Sequence, residues 1–419
     1  MSKLIFTLIC LSAFGGAIPC QAKIIYVDDD GPADLNNIQA GIDAAKDEDT
    51  VVVADGTYTG DGNRDIDFLG KAIIVRSENG PEKCIIDCEE RGRGFDFHNN
   101  EDTNSVVDGF TITHGHGNGG GIACHSNSSP TINNCIITGN WATGSGGGIS
   151  CYSSSTITNC IITGNYACWD AGGGISCGGN TTVSNCTINS NTAHYIGGGI
   201  YCGSGNPTII NSTISGNRAG CGGGSACNAT DSILTLINCT ISGNSGGGIC
   251  CIYSNFKITN CILWDDMPEE IYLLNGSVMV TYSDVRGYWP GVGNISTNPQ
   301  FVDPGHWQDD PPTGTWVGGN YHLKSQAGRW DVNEGRWTKD KVTSLCIDAG
   351  DPSSPIGYEP FPNGGIINMG AYGGTIEASK SYFGKPPCET IIAGDINGDC
   401  KVDFKDFALM AFHWLEEHQ

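Results

Sequence analysis

Two short motifs recur through the middle of the chain at a common period, and this repetition constrains the fold more than any other feature. The first motif is Asn-Cys, then alternating apolar and small polar residues, then Gly-Asn, as in NNCIITGN at residues 133–140. Its cysteine position recurs every 22 to 27 residues, at Cys135, Cys160, Cys186, Ser212, Cys239 and Cys261. A fixed period of this length is typical of a solenoid or another repeat array.

The second motif, Gly-Gly-Gly-Ile-x-Cys, follows the same period. Its cysteine recurs every 24 to 27 residues, at Cys124, Cys151, Cys177, Cys202, Cys227 and Cys251. Two motifs in one period indicate two short strands per period, with Gly and Asn at the corners. A leucine-rich repeat has a similar period, but this chain has no leucine scaffold, and its Gly, Ser, Thr and Asn content leaves no helix within a period.

These features predict an all-β solenoid in which each coil stacks on the next. Stacking brings equivalent residues to a spacing of about 4.8 Å, so the Ile, Val and Cys columns should line the interior. The Asn columns should form corner ladders whose side-chain amides bond to each other and to the turn backbone. Most thiols should be buried rather than bridged, because stacked parallel side chains rarely meet disulfide geometry, although some coil-to-coil disulfides are compatible with the spacing.

The N-terminal part agrees with a capped solenoid. Residues 24–27, 50–54 and 72–76 are predicted strands, and residues 35–46 are a predicted amphipathic helix that closes the open end. The segment YVDDDGP…IQAGIDAAKDEDTVVVADGTY, followed by IIVRSENGP…CIID, resembles the start of proteins of the pectin-lyase-like superfamily. The resemblance covers roughly residues 23–375 and implies a right-handed parallel β-helix. It implies no single activity, since that superfamily includes lyases, hydrolases, esterases and adhesins.

The two ends of the chain carry signals of their own. A basic start, an apolar run from Leu4 to Ala17 and small residues up to Ala22 predict a secretory signal peptide over residues 1–22. The apolar run is too short to span a bilayer, so we expect a secreted or cell-surface protein without a transmembrane segment. The predicted β-helix with its caps covers residues 23–378, a linker covers 379–387, and a calcium-binding segment covers 388–419.

The C-terminal segment GDINGDCKVDFKDFALMAFHWLEE has the ligand spacing of a calcium loop, in which oxygen atoms wrap a hard cation. The predicted ligands are Asp395, Asn397, Asp399, Lys401 (through its carbonyl oxygen), Asp403 and Asp406. The loop and the helix behind it resemble a single loop of a type I dockerin and are EF-hand-like, which implies a cohesin-like or cell-surface partner. An acidic turn before a helix is the alternative. Cys388 is placed to form a disulfide with Cys400, which stands where such loops carry glycine.

Composition narrows the partners further. The net charge of −24 argues against nucleic acid and would repel a polyanionic glycan unless cations bridge the two. Of the 21 cysteines, Cys10 and Cys20 lie in the predicted signal peptide, so the mature chain has an odd number and at least one thiol is unpaired or joined to another chain. A zinc site is not expected, because no CxxC pair recurs with histidine partners.

The repeat body contains few ionisable residues. Between residues 117 and 264 the acids are Asp170 and Asp231, and the Lys and Arg residues are Arg218 and Lys257. The hydrolases of the resembled superfamily use several aspartates on adjacent coils for acid–base catalysis. Such a cluster cannot be built from this part of the chain.

The loop after each Gly-Asn corner is a better candidate for a site. Its residues lie at similar phase on successive coils and should form one stripe along the solenoid. The predicted sugar-contacting residues are Trp141, Tyr166, Trp169 and Tyr195, because aromatic rings beside a polar groove suit sugar faces. The candidate catalytic residues beside them are Asp170, His194 and Arg218. The alternative is that these side chains only cover a flank.

A second candidate lies between Asp87 and His125, a segment of mixed charge in which His114 and His116 are spaced to bind a metal from one strand face. Mixed charge near a cap is more often solvated surface.

The sequence as a whole is consistent with two functions. One is a secreted β-helix protein that binds extracellular polysaccharide, with cleavage of the pectate-lyase or glycosidase type left open. The other is a non-catalytic surface, adhesion or structural solenoid anchored through its C-terminal segment.

Overall fold

The computed structural model describes residues 22–31, 33, 35–125, 127–309, 314–382 and 402–408. Residues 24–285 wind into a right-handed parallel β-helix, as predicted. Most coils contribute one short strand to each of three long parallel sheets, here called A, B and C, and four coils add a strand to a short sheet D. The prediction of two strands per period was therefore wrong, since each coil of the repeat has three or four. Along one coil the chain passes through sheets A, B, D and C in that order.

The four sheets run along the solenoid axis, and their strands follow in chain order. Sheet A contains 11 strands, Ile24–Val27, Thr50–Val53, Ile74–Ser77, Val106–Asp108, Thr131–Asn133, Thr156–Thr158, Thr182–Ser184, Thr208–Ile210, Ile233–Ile237, Asn255–Thr259 and Ser277–Thr281. Sheet B contains 10, Gly56–Tyr58, Cys84–Asp87, Thr111–Thr113, Ile136–Thr138, Ile161–Thr163, Thr187–Asn189, Thr213–Ser215, Thr240–Ser242, Ile262–Trp264 and Asp284–Val285. Sheet C contains eight, Phe95–Phe97, Ile122–Cys124, Ile149–Cys151, Ile175–Cys177, Ile200–Cys202, Ser225–Cys227, Ile249–Ile252 and Ile271–Leu274. Sheet D contains four, His116–Gly117, Trp141–Ala142, Tyr166–Ala167 and Thr192–Ala193.

The hydrophobic core is the interior of the coil stack. In sheets A and B the middle residue of each three-residue strand points inward, as Ile132 and Ile137 do, while its neighbours face outward. In sheet C the first and third residues point inward, as Ile149 and Cys151 do. Side chains alternate between the two faces of a strand, so the short β-branched runs of the motifs supply one inward column per sheet.

The Gly and Asn residues of the motifs occupy the corners. Between sheets A and B the backbone turns at one left-handed asparagine per coil, with φ between 47° and 57°, at Asn134, Asn159, Asn185, Asn211, Asn238 and Asn260. Asparagine tolerates this conformation better than most residues. Before sheet C the glycines of successive coils lie against each other, and a Cβ on Gly148 would be 2.8 Å from Gly174 O. Only glycine fits this close approach of backbones.

A buried asparagine ladder confirms the predicted corner network. Each member after the first accepts hydrogen bonds from both the backbone N and the Nδ2 of the preceding member, and the Nδ2 of every member also donates to a backbone carbonyl. All of these distances lie between 2.8 and 3.0 Å. The ladder runs through Asn140, Asn165, Asn191, Asn217 and Asn244. It satisfies polar groups that would otherwise be buried without partners.

The cysteine columns are buried, as predicted. The second-motif cysteines pair in register along sheet C, and within that column the sulfurs of Cys124 and Cys151 lie 2.6 Å apart. Burial raises the pKa of the thiols of Cys124, Cys177 and Cys261 in these columns above the usual value. One coil-to-coil disulfide joins Cys221 to Cys250, whose Cα atoms are 5.8 Å apart.

The N-terminal end is closed by a helix, Ile38–Ala44, which is shorter than predicted. Asn37 caps it by accepting a hydrogen bond from Ala40 N at 2.9 Å. Leu35 does not join the helix, because it forms a β-bridge with Val27. Ile38 and Ile42 are buried and belong to the solenoid core, so the capping role predicted for this helix is confirmed.

The segment after residue 298 lies within the range predicted for the β-helix and its caps, but it does not continue the coils and folds back along the flank of the last ones. It forms three antiparallel strand pairs, Phe301–Asp303 with Asn320–Leu323, His306–Trp307 with Trp316–Val317, and Arg329–Asp331 with Arg336–Thr338. The Trp316 ring packs on Gly216 and Gly243, where a Cβ would collide with it. The folded-back segment covers the outer face of sheet B on the last coils, so Thr213 and Thr240 are buried there. Thr187, the equivalent residue on an earlier coil, is only half-buried.

Candidate functional site

The predicted aromatic stripe exists as two parallel rows on one flank. The first row, called row one here, lies on sheet D, where His116, Trp141 and Tyr166 are paired in register. The rings of Trp141 and Tyr166 lie 6.5 Å apart, and those of His116 and Trp141 lie 5.1 Å apart. Trp141 is 45% exposed and Tyr166 is 37% exposed. These exposed rings therefore present a continuous surface parallel to the solenoid axis.

The second row, called row two, lies on the turn that follows sheet D. It contains Trp169 and Asp170 on one coil and His194 and Tyr195 on the next. Trp169 is 68% exposed, and the His194 and Tyr195 rings meet edge to face at 4.6 Å. Tyr195 N donates to Asp170 O at 3.3 Å, which sets the two coils in register. The Asp170 carboxylate accepts a hydrogen bond from Ser145 Oγ at 2.6 Å.

Arg218 lies at the C-terminal end of row one, but its side chain is covered. Its backbone continues the row through bridges to Thr192 and Ser245. Its guanidinium lies 4.9 Å from the Trp307 ring centre and donates to Gly314 O at 2.9 Å. Burial lowers the pKa of Arg218. The folded-back segment thus engages this side chain, and the exposed surface of row one ends here.

The structure also separates His114 from His116. His114 stands at a left-handed corner, and its Nδ1 lies 3.0 Å from Asp87 Oδ1. His116 instead joins row one beside Trp141, a role that was missed although it lies one 25-residue step before Trp141. His114 thus contacts Asp87, whereas His116 contacts Trp141. Among the described residues, the only group of three potential metal ligands within 4.8 Å of one another is Asp28, Asp29 and Asp30.

The predicted calcium loop is described only at its end. Asp395, Asn397, Asp399 and Lys401, and the Cys388–Cys400 pair, lie outside the described residues. A helix covers residues 404–408; Asp403 accepts from Lys405 N at 2.8 Å, and Asp406 accepts from Asp403 N at 2.7 Å. A helix that begins right after the ninth loop position is compatible with a calcium loop. Calcium binding itself stays a prediction.

Comparison with known proteins supports the fold. A family model described as "Right handed beta helix region" matches residues 168–286. No curated protein matches the chain. The crystal structure of pectate lyase Pel9A is similar over 83% of this chain and 96% of that chain, with 15% identity and a TM-score of 0.53. A pectin methylesterase from carrot is 12% identical over 65% of this chain and 88% of that chain, with a TM-score of 0.30.

Among the described residues, no helix has both the length and the apolar character needed to cross a membrane. The stacked parallel sheets, the matched family model and the likeness to a pectate lyase agree with one another. The chain is a right-handed parallel β-helix, the fold that it shares with the pectate lyase.

Proposed function

We propose that this protein is exported and binds an extracellular polysaccharide along rows one and two. The observation that carries the proposal is the set of exposed aromatic side chains on one flank, spread over successive coils, at Trp141, Tyr166, Trp169 and Tyr195. Coils repeat along the axis, so a polymer lying parallel to it contacts one ring after another. Aromatic rings offer apolar faces with polar edges nearby, which suits sugar rings.

The polar side chains of the flank complete this site. Asp170 and His194 lie in row two between the aromatic rings, where they can exchange hydrogen bonds with hydroxyl groups. We place them as sugar contacts, together with the four rings. Arg218 is engaged by Trp307 and Gly314 at the end of the row, so in this proposal it positions the folded-back segment. The net charge of −24 favours a polymer that carries little negative charge.

The likeness to a pectate lyase supports only the fold. The exposed rings of rows one and two are what support polysaccharide as the ligand. We further propose that residues 388–419 bind calcium and attach the protein to a cohesin-like or cell-surface partner. This second part depends on the loop motif alone. In this arrangement the solenoid would present its aromatic flank to the polysaccharide while the C-terminal segment holds the protein in place.

The binding proposal is tested by retention of the purified protein on a panel of insoluble or immobilised polysaccharides. Wild type should be retained on at least one of them. Trp141→Ala and Trp169→Ala should each weaken binding by about tenfold, because each removes an aromatic ring that a sugar would cover. Tyr26→Ala removes a ring that is 58% exposed on sheet A, away from both rows, and is the matched control. Equal retention of all four proteins, or retention of none of them, would refute the proposal.

A further inference from the structure

A polar cluster lies on the outer face of sheet C near the start of row one. Asp96 stands between the buried Phe95 and Phe97, so its side chain points outward. His98 follows this strand, and His125 follows the next strand of the sheet. Because Phe97 is paired with Cys124, the two histidines lie side by side with their ring centres 6.3 Å apart.

Asp96 holds this cluster together. Its Oδ1 lies 2.9 Å from His125 Nε2, and its Oδ2 lies 2.8 Å from Arg93 Nη1 and 3.8 Å from His98 Nδ1. The Asp96 side chain is only 17% exposed, while the His125 side chain is 46% exposed. The contact with Asp96 engages Nε2 of the His125 ring, and among the described residues no hydrogen bond to its Nδ1 is present. A carboxylate that orients an imidazole in this way is a general-base arrangement.

Arg93 joins the cluster to row one. Its Nε donates to Asn118 O at 2.8 Å, two residues after His116. A Cβ on the intervening Gly117 would lie 3.5 Å from the same nitrogen. A polymer bound along row one therefore passes Arg93 at the N-terminal end of the row, and Asp96 links Arg93 to His125.

The surroundings of the base restrict the chemistry that it can perform. Glycoside hydrolysis needs a pair of available carboxyl groups, but Asp96 is bound by Arg93 and His125, and Asp67 is bound by Asn99 Nδ2 at 3.0 and 3.1 Å. Proton removal beside a uronate needs a polyanionic polymer, which a net charge of −24 disfavours. Hydrolysis of an uncharged ester needs neither a carboxyl pair nor a polyanionic polymer. It needs a base that activates water, and an oriented imidazole can act as that base.

We propose that His125, oriented by Asp96, is the general base of a site that removes O-acyl groups from the polysaccharide, and this rests on the proposed binding along the rows. As a water oxygen bonds to the ester carbonyl carbon, His125 Nδ1 takes a proton from that water. Arg93 stabilises the negative charge that develops on the carbonyl oxygen. The bond between the carbonyl carbon and the sugar oxygen then breaks, and the sugar oxygen takes the proton from His125. Water is the only co-reactant, and the products are a carboxylic acid and a free hydroxyl group.

The test uses the full chain with acetylated xylan and acetylated mannan. Released acetate is measured in solution, and retention is measured in parallel on the same polymers after alkaline deacetylation. Wild type should be retained and should release acetate. His125→Gln and Asp96→Asn should each lower the release by about 100-fold or more while retention and melting temperature stay at the wild-type level.

His114→Gln is the matched control, since His114 is also exposed and lies 3.0 Å from an aspartate, Asp87. In the described part of the chain no salt bridge joins that pair to an arginine, and the acetate release of this variant should equal that of wild type. Retention of wild type without acetate release would overturn the esterase proposal and leave polysaccharide binding standing. An equal loss of release in His114→Gln and His125→Gln would also overturn it. Failure of wild type to be retained on any polymer would instead count against the binding proposal.

Discussion

Asn244 donates two hydrogen bonds to Asp266, from its backbone N at 2.7 Å and from its Nδ2 at 2.8 Å. Asp266 therefore occupies the next position of the ladder, where the earlier coils carry an asparagine, and the ladder ends with this carboxylate. Asp266 N donates to Glu270 Oε1 at 3.3 Å, so two carboxyl groups are buried together at this last rung. Burial raises the pKa of Asp266 to about 7, and burial together with the charge of Asp266 raises the pKa of Glu270 to about 10.

This carboxyl pair should make the free energy of unfolding depend on pH. Both folded-state pKa values are raised, so above about pH 4 the folded chain keeps protons that the unfolded chain releases. The stabilisation is complete at low pH and is lost as pH rises through about 7 for Asp266 and toward 10 for Glu270. We therefore expect urea denaturation to give a lower free energy of unfolding at pH 9 than at pH 5.

The variant Asp266→Asn isolates the contribution of the pair. It keeps an acceptor for Asn244 and removes the buried charge, so it should gain on the order of 2 kcal/mol over wild type at pH 9 and little at pH 5. Asp231→Asn is the control, because it removes an exposed acid on another coil. Parallel pH profiles for wild type and Asp266→Asn would show that the pair does not titrate as expected.

The middle of the ladder should be far more sensitive to truncation than the exposed turns. Asn191 accepts from Asn165 N and Nδ2, each at 3.0 Å, and donates to Ile162 O at 2.8 Å. Asn191→Ala leaves these buried groups without partners, so we expect a loss of about 3–5 kcal/mol in urea denaturation. Asn180→Ala, in an exposed turn, should change stability by less than about 0.5 kcal/mol. A loss below about 1 kcal/mol for Asn191→Ala would contradict the structural role of the ladder.

The ladder and the thiol columns were predictable because they follow from the period alone. Residues one period apart must stack when each coil repeats the last, so Asn140 and Asn165 had to meet. Row one follows from the same rule, and applying it one step earlier would have included His116. The period predicted the row but not the split into two rows, because the loop after sheet D is not part of either motif.

Contacts between the solenoid and the folded-back segment could not be predicted in this way. Arg218 meets Gly314 across 96 residues, and nothing in the period relates the two. The covering of Gly216 and Gly243 by Trp316 is equally non-repeating. The Asp96 cluster was visible only as mixed charge between residues 87 and 125, because its arrangement depends on the register of Phe97 with Cys124.

The disulfide between Cys221 and Cys250 should stabilise the later coils. It closes a loop of 29 residues, and a crosslink of this size typically contributes about 3 kcal/mol by restricting the unfolded chain. Cys221→Ser should therefore lower the melting temperature, and reductant should lower that of wild type to a similar value. Reductant should not lower the melting temperature of Cys221→Ser further. If it does, a second reducible pair is present, and mass spectrometry should test two pairs: Cys388 with Cys400, as the sequence predicts, and Cys124 with Cys151, whose sulfurs lie 2.6 Å apart.

Calcium should bind the C-terminal loop in the full-length protein. Six oxygen ligands at this spacing suit a hard cation, and loss of two carboxylates from such a loop removes most of its affinity. We expect isothermal titration to show one calcium ion bound by wild type and none by the double variant Asp395→Asn/Asp399→Asn. Asp231→Asn, which removes an exposed acid from the solenoid, should bind as wild type does. Unchanged binding in the double variant would show that calcium binds at another site. The Asp28–Asp30 cluster would then be mutated next, since its carboxylates lie within 4.8 Å of one another.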